Sequence, residues 1–149
     1  IESPATLADG SQFILVDTAG IRRRGKIEAG IERFSLFRTL RAINESDIVV
    51  LLLTIEENPT RGDAHVAMYA MEANKKVILV LNKADLAERN IFRFTDNERQ
   101  RLAEKFLKRF VFMQRLPILF ISAQTGEGVD SLVETLKLTL QAETNKNNQ

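Results

Sequence analysis

Three stretches of the chain run apolar without alternation: "DIVVLLL" at 47–53, "KVILVLN" at 76–82 and "PILFIS" at 117–122. A strand bare of polar side chains on both faces belongs inside a parallel sheet covered by helices, so all three are read as buried strands. Between them the pattern changes period. Thr60 with Asp63 and Thr95 with Glu98 have the spacing of capping boxes, which starts helices near Arg61 and Asp96. Ile31, Phe34, Phe37, Leu40 and Ile43 recur near helical spacing and predict an amphipathic helix. Val129, Leu132, Val133, Leu136 and Leu140 form one stripe of a last helix, after which "AETNKNNQ" is too polar to pack and reads as a disordered tail over 142–149. Ahead of all this, "IESPATL", the turn pair Asp9-Gly10 and "QFILVD" read as a hairpin whose second strand is buried. Strand, loop and helix alternate without repeats, giving an α/β class with a mainly parallel sheet and helices on both faces.

Composition narrows this only by exclusion. The 149 residues carry 21 basic and 20 acidic side chains, a net charge of +1, so recognition of a polyanion has to be local. The absence of cysteine removes disulfides and thiolate metal sites and fits a cytosolic home. No apolar run approaches the roughly 20 residues that span a bilayer, so no membrane partner is expected. His65, the single histidine, has no second ligand near it in sequence and reads as a surface residue. The phenylalanines at 106, 110, 112 and 120 follow packing periodicities and read as core or helix-face residues.

The chemistry gathers where the strands end, which in parallel sheets is where ligands bind. "FILV" is followed by Asp17-Thr18-Ala19-Gly20, "VILVL" by Asn82-Lys83-Ala84-Asp85, and "ILFI" by Ser122-Ala123. Each alone is ordinary loop chemistry. Together, in this order, they resemble the third, fourth and fifth motifs of the guanine-nucleotide-binding domain of translation-factor-like GTPases. A closer resemblance, over about Ile1 to Leu140, is carried by "DTAGIRRRGKI" followed by "GIERFSLFRTLRAI". That stretch is similar to the second GTP-binding domain of the bacterial tandem-GTPase ribosome-assembly family called EngA or Der.

The resemblance implies a three-layer, Ras-like P-loop GTPase fold over residues 1–141. It also implies a guanine site at Asn82, Lys83, Ala84, Asp85, Ser122 and Ala123. Guanine offers adjacent ring and amino N–H donors, which the two oxygens of Asp85 match as a fork. Adenine lacks that pair, and the site should reject it by roughly 10⁴-fold. Asn82 would tie the loops together, Lys83 would lay its stem over the ring, and the Ala123 N–H would meet the guanine oxygen. Asp17, Thr18, Ala19, Gly20 and Ile21 would form the phosphate-sensing switch II, with Asp17 holding Mg²⁺ through a water and Gly20 offering its N–H to the terminal phosphate. Ile21 stands where Ras-like relatives carry a water-orienting glutamine. Relatives with an apolar residue here often use K⁺ near the phosphates, which implies that ion as an addition to GTP or GDP and Mg²⁺.

Arg22, Arg23, Arg24 and Lys26 read either as a solvated loop or, by the resemblance, as a moving segment that contacts ribosomal RNA or docks another domain of the same protein. The implied function is a GTP-hydrolysing switch in large ribosomal subunit assembly. The alternatives are a nucleotide-independent interaction surface or an RNA-binding module built on the same fold. The pattern G-x-x-x-x-G-K-S/T does not occur, nor does a switch I threonine segment. The fold is therefore expected to be incomplete at the N-terminus, its phosphate-loop strand supplied from upstream of Ile1 or by another chain, and hydrolysis is not expected of these residues alone. Ribosome association likewise needs the rest of such a protein.

Overall fold

The computed structural model describes residues 2–18, 29–87, 90–108, 110–111 and 116–147, with backbone alone over 29–35 and at 147. The chain divides into two compact units, 1–46 and 47–149.

In the first unit, β1 (Glu2–Thr6) pairs antiparallel with β2 (Gln12–Val16), Glu2 opposite Val16 and Thr6 opposite Gln12. The hairpin forms at the Asp9-Gly10 turn. The Gly10 N–H donates to Leu7 O at 2.9 Å, the Ser11 N–H to Asp9 Oδ1 at 2.9 Å, and Gly10 takes φ +85°, open to glycine without strain. β2 was expected to be buried; instead Ile14, Leu15 and Val16 are exposed. A two-stranded ribbon has too little sheet to cover its own faces.

Helix α1 (Ala29–Glu45) forms where the periodicity placed a helix, but its buried face differs. Thr39 and Ile43 are buried while Phe37 is 71% exposed; Ile31 and Phe34 fall among the undescribed side chains. The reason is geometric. At 3.6 residues per turn, Phe37 lies about 120° from Ile43 around the axis and Thr39 only about 40° from it, so a strict three-residue repeat winds off the buried face.

The second unit is built on a three-stranded parallel sheet in the order β3 (Ile48–Thr54), β4 (Lys76–Asn82), β5 (Ile118–Phe120). Its register pairs Ile48 with Lys76, Thr54 with Asn82, and Leu81 with Phe120. β4 is central, and Val77 through Leu81 are all buried, as the unbroken apolar run predicts. On one face Ile78, Val80 and Ile121 pack with Ile48, Leu119 and with Val129, Leu132 and Leu136 of the last helix, α4 (Val129–Asn147). Leu51, Leu53, Val77, Leu79 and Leu81 line the opposite face, and α2 (Arg61–Glu72) packs on β3 and β4 with Ala67 and Ala70 wholly buried.

β3 departs from expectation on the α4 side. Val50 and Leu52 are 39% and 57% exposed, because α4 packs over β4 and β5 and leaves that half of β3 open. β2 and β3 lie in separate sheets, and the edge of β3 away from β4 carries no strand among the described residues. On that face of β3, Ile48 is partly buried, where the α4 cluster reaches.

Both capping boxes are present. The Thr60 side chain accepts from the Asp63 N–H at the start of α2, and Thr95 from the Glu98 N–H at the start of α3 (Asp96–Leu107), with each acid returning a bond to the cap N–H. α3 is largely solvated but anchors Phe106, and Phe110 just beyond it is fully buried. Phe120 is half-buried, and Phe112 lies outside the described residues. α4 continues to Asn147, so residues 142–147 are helical where a disordered tail was expected. The Thr144 hydroxyl donates to the Leu140 carbonyl there, and the preceding turns are already propagating, so each further residue adds a bond without a new nucleus. Among the described residues no helix is long and apolar enough to cross a membrane.

Candidate functional site

The carboxyl ends of β4 and β5 lie side by side because the strands are parallel and in register. Two loops leave this edge, and backbone bonds stitch them together. The Ile121 N–H donates to Leu81 O at 3.0 Å, and the Ala84 N–H donates to Ile121 O at 3.0 Å. A side chain completes the connection: Asn82 Oδ1 accepts from the Ala123 N–H at 2.9 Å, across 41 positions of sequence. Asn82 therefore joins the loops, as its place in the motif implied. The Ala123 N–H, expected to face a guanine oxygen, is directed at Asn82 in this structure.

The first loop turns sharply at Lys83, which takes the left-handed conformation, φ 62° and ψ 31°. That reversal starts a single helical turn, Ala84–Leu86, with Ala84 fully buried beneath it. Asp85 is lifted to the rim, half-buried, and among the described residues its carboxylate makes no hydrogen bond or ion pair. A half-buried carboxylate at a loop rim has two acceptor oxygens to offer a ligand that brings N–H donors. The Lys83 ammonium reaches Glu56 Oε2 at 2.6 Å. Glu56 sits just past the end of β3, and no sequence signal joins it to a residue 27 positions away.

The second loop is closed on itself. Ser122 is buried; its N–H donates to Glu127 O at 2.9 Å, its carbonyl accepts from the Gly126 N–H at 2.8 Å, and its hydroxyl accepts from the Thr125 N–H at 3.1 Å. Gly128 runs so close to β5 that a Cβ there would stand 2.2 Å from the Phe120 carbonyl oxygen. The structure thus brings Asn82, Lys83, Ala84, Asp85, Ser122 and Ala123 to one edge.

The remaining predicted residues belong to the first unit. Asp17 is exposed and Thr18 half-buried directly after β2. Ala19, Gly20, Ile21, Arg22, Arg23, Arg24 and Lys26 lie outside the described residues. His65 is exposed on α2. No group of three or more His, Cys, Asp or Glu side chains suited to a metal ion occurs among the described residues.

A sequence model of the elongation factor Tu GTP-binding domain matches residues 29–142, most of the chain, including both loops of the edge just described. The chain belongs to this GTP-binding family. It is also 40% identical over 136 residues to the GTPase Der of Caldanaerobacter subterraneus subsp. tengcongensis, covering 91% of this chain and 30% of that protein. The GTPase Der of Desulfitobacterium hafniense is 41% identical over 126 residues, covering 85% and 27%, and that of Lactobacillus acidophilus 41% over 137 residues, covering 92% and 30%. The chain spans about 30% of the length of these relatives. Among solved structures, Era in complex with MgGDPNP and nucleotides 1506–1542 of 16S ribosomal RNA matches with a TM-score of 0.69 at 22% identity, over 91% of this chain and 42% of that one. An Era variant from Aquifex aeolicus bound to GDP.AlF4⁻ matches equally well, at 0.69 and 22%, with the same coverage. These likenesses show the P-loop GTPase fold.

Proposed function

We propose that the β4–β5 edge reads the guanine base of GTP and GDP in a GTP-hydrolysing switch protein of large ribosomal subunit assembly. What carries this reading is the bond between Ala123 N–H and Asn82 Oδ1, which locks two loops into one edge with Asp85 beside it, a carboxylate that has no partner among the described residues. Asp85 accepts from the ring N–H and amino group of guanine as a fork. The Nδ2 hydrogens of Asn82, whose oxygen is occupied, are donors suited to the N7 and O6 acceptors of the base. Lys83, rising from its left-handed turn, lays its methylene stem against the ring.

The phosphate end belongs to Asp17, Thr18, Ala19, Gly20 and Ile21. Asp17 stands exposed at the end of β2 with an oxygen-donor carboxylate of the kind that holds Mg²⁺ through a water. Asp17 would hold Mg²⁺, which would supply charge neutralisation at the phosphates, as would K⁺. Gly20 has no side chain to obstruct the terminal phosphate. The Ile21 side chain has no group that hydrogen-bonds water, so the role of a water-orienting side chain falls elsewhere. The likeness to GTPase Der supports the assignment to ribosome assembly, and Arg22, Arg23, Arg24 and Lys26 are the residues through which the switch would contact ribosomal RNA or a neighbouring domain.

Asp85→Asn tests the base assignment. The amide turns one acceptor into a donor facing donors, and GDP affinity of the full-length protein should fall by at least about tenfold, the scale of a lost charge-assisted pair. Unchanged affinity removes Asp85 from the site. The substitution is at a half-buried rim position and should leave the unfolding midpoint nearly unchanged.

A further inference from the structure

We infer that Glu56 is a positioning residue for the base site, acting through Lys83; this rests on the guanine reading above. Glu56 lies in the loop that leaves β3, the strand next to β4. That loop is fastened to the base site by its backbone: the Ile55 N–H donates to the carbonyl of Asn82 at 3.0 Å, and the Glu57 N–H turns back to Thr54 O at 3.3 Å. Glu56, between them, is delivered beside the residue that follows Asn82. Its carboxylate meets the Lys83 ammonium at 2.6 Å, with the two side chains half exposed.

The consequence concerns the stem of Lys83, not its charge. A lysine side chain has four rotatable bonds, and a stem that must lie against a base loses that freedom on binding. Lys83 is fixed at its backbone end by the left-handed turn, and Glu56 fixes the other end. With both ends held, the methylenes are left fewer conformations before nucleotide arrives, which lowers the ordering cost of binding. Glu56 touches no reacting atom and would contribute nothing if Lys83 lacked its ammonium.

The experiment is a set of four full-length proteins, the unsubstituted one, Glu56→Gln, Lys83→Met and the double variant, titrated with a fluorescent GDP analogue at low and high salt. Lys83→Met keeps an unbranched apolar stem and removes the ammonium. Glu56→Gln should weaken binding about two- to fivefold at low salt, the range measured for exposed ion pairs, and the loss should shrink near 1 M salt where the Debye length is about 3 Å. In the Lys83→Met background the same substitution should have no effect. An equal loss in both backgrounds, or one indifferent to salt, would show that Gln at 56 disturbs the loop itself and overturns the inference, as would no loss at all. If the unsubstituted protein prefers GDP no more than ADP, it is the guanine reading that fails.

Discussion

Replacing Gly128 by alanine should be among the most damaging single-methyl changes this fold admits, and the structure separates the two reasons. Gly128 sits at φ +78°, where any L-residue is strained by about 1–2 kcal/mol. Its added Cβ would also stand 2.2 Å from the Phe120 carbonyl oxygen and 3.2 Å from Ile121 Cα. Both are backbone atoms at the end of β5, with no flexible side chain to give way. Overpacking of this kind adds about 1–3 kcal/mol, so the whole effect is about 2–5 kcal/mol against a domain stability of about 5–15. Gly126 is the internal control, since it has φ +83° and nothing within 4 Å of its ideal Cβ, leaving the conformational part alone. Urea unfolding of the two alanine variants beside the unsubstituted protein gives the comparison, with Gly128→Ala less stable than Gly126→Ala by about 1–3 kcal/mol. Equal losses would refute the claim that close approach to β5 requires glycine at 128. Because the same loop presents Ala123 to Asn82, Gly128→Ala should also weaken GDP binding in the folded protein.

Two further outcomes follow from burial and capping. Leu53 is 4% exposed and Leu52 is 57% exposed on the other face of the same strand, so Leu53→Ala should cost about 2–5 kcal/mol by denaturant unfolding and Leu52→Ala well under half as much. Similar losses at both sites would mean that the open half of β3 is covered in solution. Thr60→Ala and Thr95→Ala each remove a side-chain acceptor from a helix start and should each cost about 1 kcal/mol, adding in the double variant because the two caps share no partner. A double loss far from the sum would show that the caps are coupled.

The three apolar runs of the second unit were legible as strands because each is short and unbroken, and β4, apolar from 77 to 81, was legible on both faces. The capping boxes were legible because the signal lies within four residues. That the loops after β4 and β5 share one edge could be read because they follow strands whose parallel order fixes it. What escaped depended on neighbours that local pattern does not contain. The side of α1 that is buried was misplaced because a three-residue repeat drifts around a helix with 3.6 residues per turn. The exposure of Val50 and Leu52 depends on how far α4 reaches over the sheet, and their apolar character carries no trace of that. Glu56 was invisible because its link to Lys83 is made by the packing of β3 on β4. The helical run through 142–147 leaves no apolar stripe in the sequence, because an established helix extends at little cost into polar residues.

The central claim is that the loops after β4 and β5 read guanine. Competition of GDP and ADP for a fluorescent GDP analogue bound to the full-length protein measures this directly. ADP should compete about 10⁴-fold more weakly than GDP, because adenine gives the Asp85 carboxylate no pair of donors. Comparable competition by the two nucleotides would contradict the account.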